Sequence, residues 1–120
     1  MSDLTVDIPM PPSVNHMYAN VKNYGRVKTK EYKSWINEAQ WMLIAQRNKG
    51  GKHTCMTGDV EVILRAYRPA NKRRDLDNIL KPVMDLLTST KTIEDDRQIV
   101  SIDAKWVNEG VPCTITVRPA

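Results

Sequence analysis

The chain has 120 residues and a mass of 13.7 kDa, enough for one compact domain and too little for a second core. Hydrophobic residues make up 41% and charged residues 27%, close to the average for globular proteins, which excludes a disordered or fibrous chain. Eighteen Lys and Arg against fourteen Asp and Glu leave a net charge of +4, and no apolar run approaches the roughly 18 residues of a membrane span. Met1-Ser2-Asp3-Leu4 carries an acid where a signal peptide carries bases, so a cytoplasmic protein with no membrane partner is expected. Cys55 and Cys113 are expected to be free thiols, because a chain with this apolar patterning does not need a disulfide.

In chain order, Leu4, Val6 and Ile8 alternate with polar residues as a short strand that Pro9 stops. Residues 13–29 are polar and basic with a turn signal at Asn23-Tyr24-Gly25, which predicts an exposed loop or small hairpin. From Lys30 to Arg47, Tyr32, Trp35, Ile36, Ala39, Met42 and Leu43 recur at helical spacing, with Thr29 placed to cap the helix. Val60, Val62, Leu64 and Ala66 mark a second strand that Pro69 closes. A helix with Ile79, Leu80, Val83, Met84 and Leu87 on its buried side follows, with Asp77 or Asn78 as its cap. Pro82 predicts a late start or a kink there, because an interior proline loses a hydrogen bond. Val100, Ile102, Ala104 and Trp106 form a third strand, and Cys113, Ile115 and Val117 a fourth after a short turn. The order β-α-β-α-β-β predicts an α/β chain of the α+β kind. It would be a single domain over residues 1–120, with a mixed β-sheet packed by two main helices and the last two strands paired antiparallel.

The distribution of charge is more informative than its sum. Between His16 and Lys33 there are five bases and one acid, whereas six acids fall between Asp75 and Asp96. Asp75 and Asp77 flank Leu76, and residues two apart in an extended stretch point the same way, so both carboxylates can face one hard cation. Mg²⁺ takes one or two carboxylates and completes its shell with water and phosphate oxygens, and Asp95-Asp96 could add a third acid. Lys72-Arg73-Arg74 abuts the acids and would hold a phosphodiester that they alone would repel. Lys81 could neutralise surplus carboxylate charge or stabilise charge in a transition state. Asn15, Tyr18, Lys22, Tyr24, Arg26, Lys28 and Lys30 interleave bases with tyrosines, a composition suited to backbone contacts and stacking on unpaired bases. Asp85, Asp103 and Glu109 read as solvated, Trp35 as core, and Trp41 and Ile44 as surface apolars or part of a dimer interface.

Arg73-Arg74-Asp75-Leu76-Asp77-Asn78 followed by Lys81, the later Asp95-Asp96 and the early Pro11-Pro12-Ser13-Val14-Asn15 resemble the RusA family of Holliday-junction resolvases over nearly the whole chain. The resemblance implies a homodimeric, Mg²⁺-dependent endodeoxyribonuclease, with Mn²⁺ as a substitute ion. Such an enzyme cuts four-way junction DNA by paired symmetric nicks in recombination and repair, in a bacterial cell and encoded there or by a phage or prophage. It further implies that Asp75, Asp77 and Asp96 hold the metal, with Asp95 as the adjacent acid and Lys81 as the essential basic partner. DNA contact falls to Lys72, Arg73, Arg74, Asn15, Lys28 and Lys30. Phenylalanine is absent, so any wedge at a junction centre must use another side chain. The competing reading is a catalytically silent dimeric module that binds junctions. A D-x-D glycosyltransferase would need a longer chain.

Overall fold

The structure is a computed structural model that describes residues 3–51, 55–68 and 75–120. Alternation along β4 (Val60–Tyr67) buries Val60, Val62, Leu64 and Ala66 and turns Glu61, Ile63 and Arg65 to the opposite face. This strand is central in a four-stranded sheet. Antiparallel β6 (Cys113–Pro119) lies on one side of it and parallel β5 (Ile99–Val107) on the other, while β1 (Leu4–Ile8) pairs antiparallel with β6 at the far edge. The sheet is mixed, as expected, but the last two strands are not neighbours. Residues 108–112 instead carry the chain across the end of β4, whose Tyr67 amide donates to the Pro112 carbonyl (2.9 Å) and whose next amide, Arg68, donates to Val107 (3.0 Å). A five-residue connection easily spans two strand spacings of about 4.8 Å each, so a short loop does not by itself dictate a hairpin.

The polar stretch after β1 forms a second, two-stranded sheet of β2 (Tyr18–Val21) and β3 (Gly25–Lys28). Helix α1 (Lys30–Lys49) begins where Thr29 accepts a hydrogen bond from the Tyr32 amide (3.1 Å), as its sequence position predicts. Its Tyr32, Trp35, Ala39 and Leu43 are buried, and the Trp35 indole donates to the Pro9 carbonyl (3.0 Å). Helix α2 (Leu80–Ser89) is preceded by a 3₁₀ turn over Leu76–Ile79. That turn places Pro82 in the first turn of α2, where a missing N–H costs no helical hydrogen bond, so the proline is buried without a break. Neither Asp77 nor Asn78 caps α2; its N-cap position is held by Ile79 with no side-chain bond. The core lies between the two helices and the inward face of the sheet, and Leu43, Leu64, Ile79, Leu87 and Ile115 are fully enclosed. Each such side chain contributes about 1.5–3 kcal/mol of hydrophobic stabilisation. Both cysteines of the chain are free, and Cys113 is buried.

Candidate functional site

Beyond β4 the chain passes through residues 69–74, so Lys72, Arg73 and Arg74 lie outside the described residues. Asp75 is extended (φ −87°, ψ 138°) and occupies the N-cap position of the 76–79 turn without using its side chain as a cap. Leu76 packs on the core and Ile79 is buried in it, which holds the turn against β5 and against a 3₁₀ turn at Val14–His16. Anchored through these apolar residues, the turn leaves Asp75 and Asp77 exposed on the outside.

Two residues into α2, the Lys81 ammonium donates to the Asp85 carboxylate at 2.8 Å. That hydrogen bond is the main reason the lysine pKa is raised; partial burial opposes it, and the charges of Asp85 and Asp96 add to it, as does the nearby Tyr18. Lys81 is thereby held as a cation paired with Asp85 on its own helix. Asp85, expected to be solvated, is instead the lysine's partner, because positions four apart on a helix lie one above the other.

Asp95 and Asp96 have different surroundings. Asp95 caps the 3₁₀ turn Asp96–Gln98, accepting from the Arg97 amide (2.9 Å) and pairing with its guanidinium (3.0 Å). Those bonds, the guanidinium first, hold its carboxyl at about 2, well below the usual range. Asp96 is exposed at the start of the turn. Gln98 anchors the start of the turn that carries them. Its carbonyl accepts from the Glu94 and Asp95 amides (2.8 and 3.0 Å), while its amide donates to the carbonyls of Met56 and Gly58 (2.9 and 2.8 Å). Gln98 was not singled out in the sequence, although Asp95-Asp96-Arg97-Gln98 is a legible capping-box pattern.

The β2–β3 hairpin shares a cleft with these acids. This cleft of about 490 Å³ is lined by Tyr18 and Lys28 of the hairpin, Tyr32 of α1 and Asp85 of α2, together with Asp95 and Asp96. The Arg26 guanidinium sits 4.2 Å from the Tyr18 ring centre and the Lys28 ammonium 5.9 Å from that of Tyr32, so the tyrosines orient the bases. Asn15 is exposed on the Val14–His16 turn, which packs against both the 76–79 turn and α2, whereas Pro11, Pro12 and Ser13 before it are buried. Lys30 is exposed at the first turn of α1. Trp35 is core, as expected, and Trp41 stands 76% exposed on the outer face of α1.

The parallel register of β4 and β5 sets Asp96 at the Val60 end of β4, opposite the end at Arg68. The connection through α2 therefore returns the chain from the Arg68 end of β4 to the Val60 end, where Asp96 precedes β5. Among the described residues no three His, Cys, Asp or Glu side chains are arranged to hold a metal ion. The donor chemistry of Asp75, Asp77 and Asp96 nonetheless fits a hard cation, since all three are exposed carboxylates and none is the side-chain cap of its turn.

Fold and sequence together define the class. The profile of the family described as Endodeoxyribonuclease RusA matches residues 8–118, and the chain belongs to that family. Among its relatives are the crossover junction endodeoxyribonuclease RusA of Escherichia coli strain K12, 28% identical over 100 residues, and that of Shigella sonnei strain Ss046, 26% identical over the same length. Both alignments cover 83% of this chain and 79% of the relative. No helix is long and apolar enough to cross a membrane among the described residues.

Proposed function

We propose that this protein is a metal-dependent endodeoxyribonuclease that resolves four-way DNA junctions by paired symmetric nicks and works as a homodimer. The observation that carries this reading is the Lys81–Asp85 ion pair at the start of α2, directly after the exposed Asp75-Leu76-Asp77 turn, with Asp85 and Asp96 lining the same cleft as Lys28. Membership of an endodeoxyribonuclease family and relatives named for crossover junctions support the substrate class.

Asp75, Asp77 and Asp96 are the residues that would hold Mg²⁺ or Mn²⁺. When bound, such an ion supplies charge stabilisation at the phosphoryl oxygens and acidifies an attacking water. The chain's own groups do the rest. Lys81 is a cation at neutral pH, and its bond to Asp85 fixes the ammonium in position and raises its pKa further, so it would offer a fixed positive charge to the oxygens that gain charge as the phosphodiester is displaced. Gln98 keeps the Asp95-Asp96 turn in place, and Asp95 serves as its cap. Lys28 and Arg26, braced on tyrosines, and Lys30 and Asn15 near them offer contacts to the DNA backbone, with Lys72, Arg73 and Arg74 assigned the same part from the sequence. A twofold dimer would present two such sites to opposing strands, matching the symmetry of a four-way junction.

The test is cleavage of a labelled four-way junction beside a linear duplex of the same sequence, in Mg²⁺ and in EDTA, by the wild type and by Asp75→Asn. Symmetric nicks confined to the junction, lost in EDTA and in the variant while binding persists, are expected. Junction binding without cutting would leave a silent recognition module and overturn the assignment.

A further inference from the structure

The strand order makes β1 and β5 the two edges of the main sheet. Exposed edges invite pairing with another chain, and proteins commonly obstruct them. On β1 this is done in part by α1: Gln46 accepts from the Asp7 amide (2.7 Å) and donates to the Asp7 carbonyl (2.6 Å), occupying the outward backbone groups in the strand's second half. No comparable cover lies on the nine-residue β5 among the described residues, and two apolar side chains on it are open, Val100 at 56% and Ile102 at 39% exposure.

The backbone of β5 also has a defined polarity. Val107 accepts from Arg68 next to β4, and in a parallel pair alternate residues turn both backbone groups to the same neighbour. Ser101, Asp103, Lys105 and Val107 therefore face β4, while Ile102, Ala104 and Trp106 direct their N–H and C=O groups outward. Two identical strands can pair antiparallel only with outward residues opposite one another. A register centred on Asp103 or on Lys105 would set that charge against its own copy. Centred on Ala104, Asp103 faces Lys105 and Lys105 faces Asp103 across the interface, while Ile102 faces Trp106 twice on the helix side. Asp103 is held in place for this by Arg65 (3.2 Å), yet its side chain stays 60% exposed.

We propose that β5 is the surface on which a second copy of this chain docks, extending the sheet antiparallel about a twofold axis at Ala104. The inference gives a location to the homodimer of the proposed function and rests on that reading only for its biological use. The test needs neither DNA nor metal. In the full chain carrying Cys55→Ser, Ala104→Cys should yield a disulfide-linked dimer under mild oxidation, since facing residues of a hydrogen-bonded pair lie about 5.5 Å apart, within disulfide reach. Ser101→Cys in the same background should not. By sedimentation equilibrium, Lys105→Glu should weaken the wild-type dimer about tenfold, and Asp103→Lys combined with Lys105→Glu should restore most of it, with thermal melting confirming that each variant is folded. A wild-type dimer that neither cross-links at position 104 nor responds to the charge reversal overturns this interface and leaves the homodimer standing. A monomeric wild type overturns both, and the junction-cleavage assay then decides the nuclease by itself.

Discussion

Replacing Lys81 with glutamine removes one ammonium and strips Asp85 of its 2.8 Å partner. The two side chains are 49% and 32% exposed, so the pair is screened and its structural value is that of a surface i,i+4 pair, about 0.3–0.5 kcal/mol. In a domain of this size that corresponds to a drop of about 2 °C in Tm. The catalytic expectation is far larger. A fixed charge aimed at developing phosphate charge is worth about 3–4 kcal/mol, or a 10²–10³-fold loss in the rate of cutting. Single-turnover cleavage of a four-way junction, gel-shift binding and thermal melting on the same preparation separate the two effects. Near-normal melting and binding with cleavage reduced at least a hundredfold is the expected pattern. Cleavage within about threefold of wild type would refute the reasoning and leave Lys81 as a helix-surface ion pair, whereas a fall of more than about 5 °C in Tm would mean the structure undervalues its packing.

Thr29→Ala should destabilise the fold by about 1–2 kcal/mol in denaturant titration, because it removes both the cap on the Tyr32 amide and the bond to the His16 carbonyl (2.6 Å); Thr29→Ser should recover most of this. Gln46→Ala should cost about 1–3 kcal/mol by uncovering the Asp7 amide and carbonyl, and a loss under about 0.5 kcal/mol would show that this edge needs no cover. Alkaline stability follows from two buried acids. Burial foremost, then the charge of Asp7, pushes the Cys113 thiol from 9.0 up to about 12, and burial, then Asp85 and Tyr18, pushes the Tyr32 hydroxyl from 10.0 up to about 12. Both pKa values are raised in the folded state, so the stability they contribute is complete below pH 9.0 and is lost as pH rises toward about 12. The melting temperature should decline across that window, and Cys113→Ala should flatten the decline; an unchanged slope would contradict the assigned burial of the thiol.

Much of the site could be read along the chain because it depends on short spacings. In the Asp75-Leu76-Asp77 stretch the leucine packs on the core and both acids are exposed, although only Asp75 is extended as the spacing predicted, and Asp77 lies in the 3₁₀ turn. Lys81 and Asp85 are four apart, and Asp95 and Gln98 three apart, so their partnership was available from helix and cap geometry even though Asp85 read as solvated and Gln98 went unremarked. Asp103 also read as solvated and is bound to Arg65 instead. That partner is 38 residues away and meets it only because β4 and β5 lie side by side.

Period-two and helical patterns, caps and proline punctuation determined the elements themselves, since each is settled by neighbours within one turn or one strand. Strand order was not so determined. The alternation of β5, with Val100, Ile102, Ala104 and Trp106 against Ser101, Asp103 and Lys105, resembles that of β4, and nothing within either segment says which is flanked on both sides. Tertiary packing decided it. In the folded sheet β4 is the strand with neighbours on both sides and a fully buried inward face, whereas β5 is an edge whose inward face is buried only in part. The same packing brought the hairpin bearing Tyr18 and Lys28 into one cleft with Asp96. Contacts so distant along the chain form only when the shared apolar core has brought their elements together, which is why the chemistry was legible in the residues and its assembly was not.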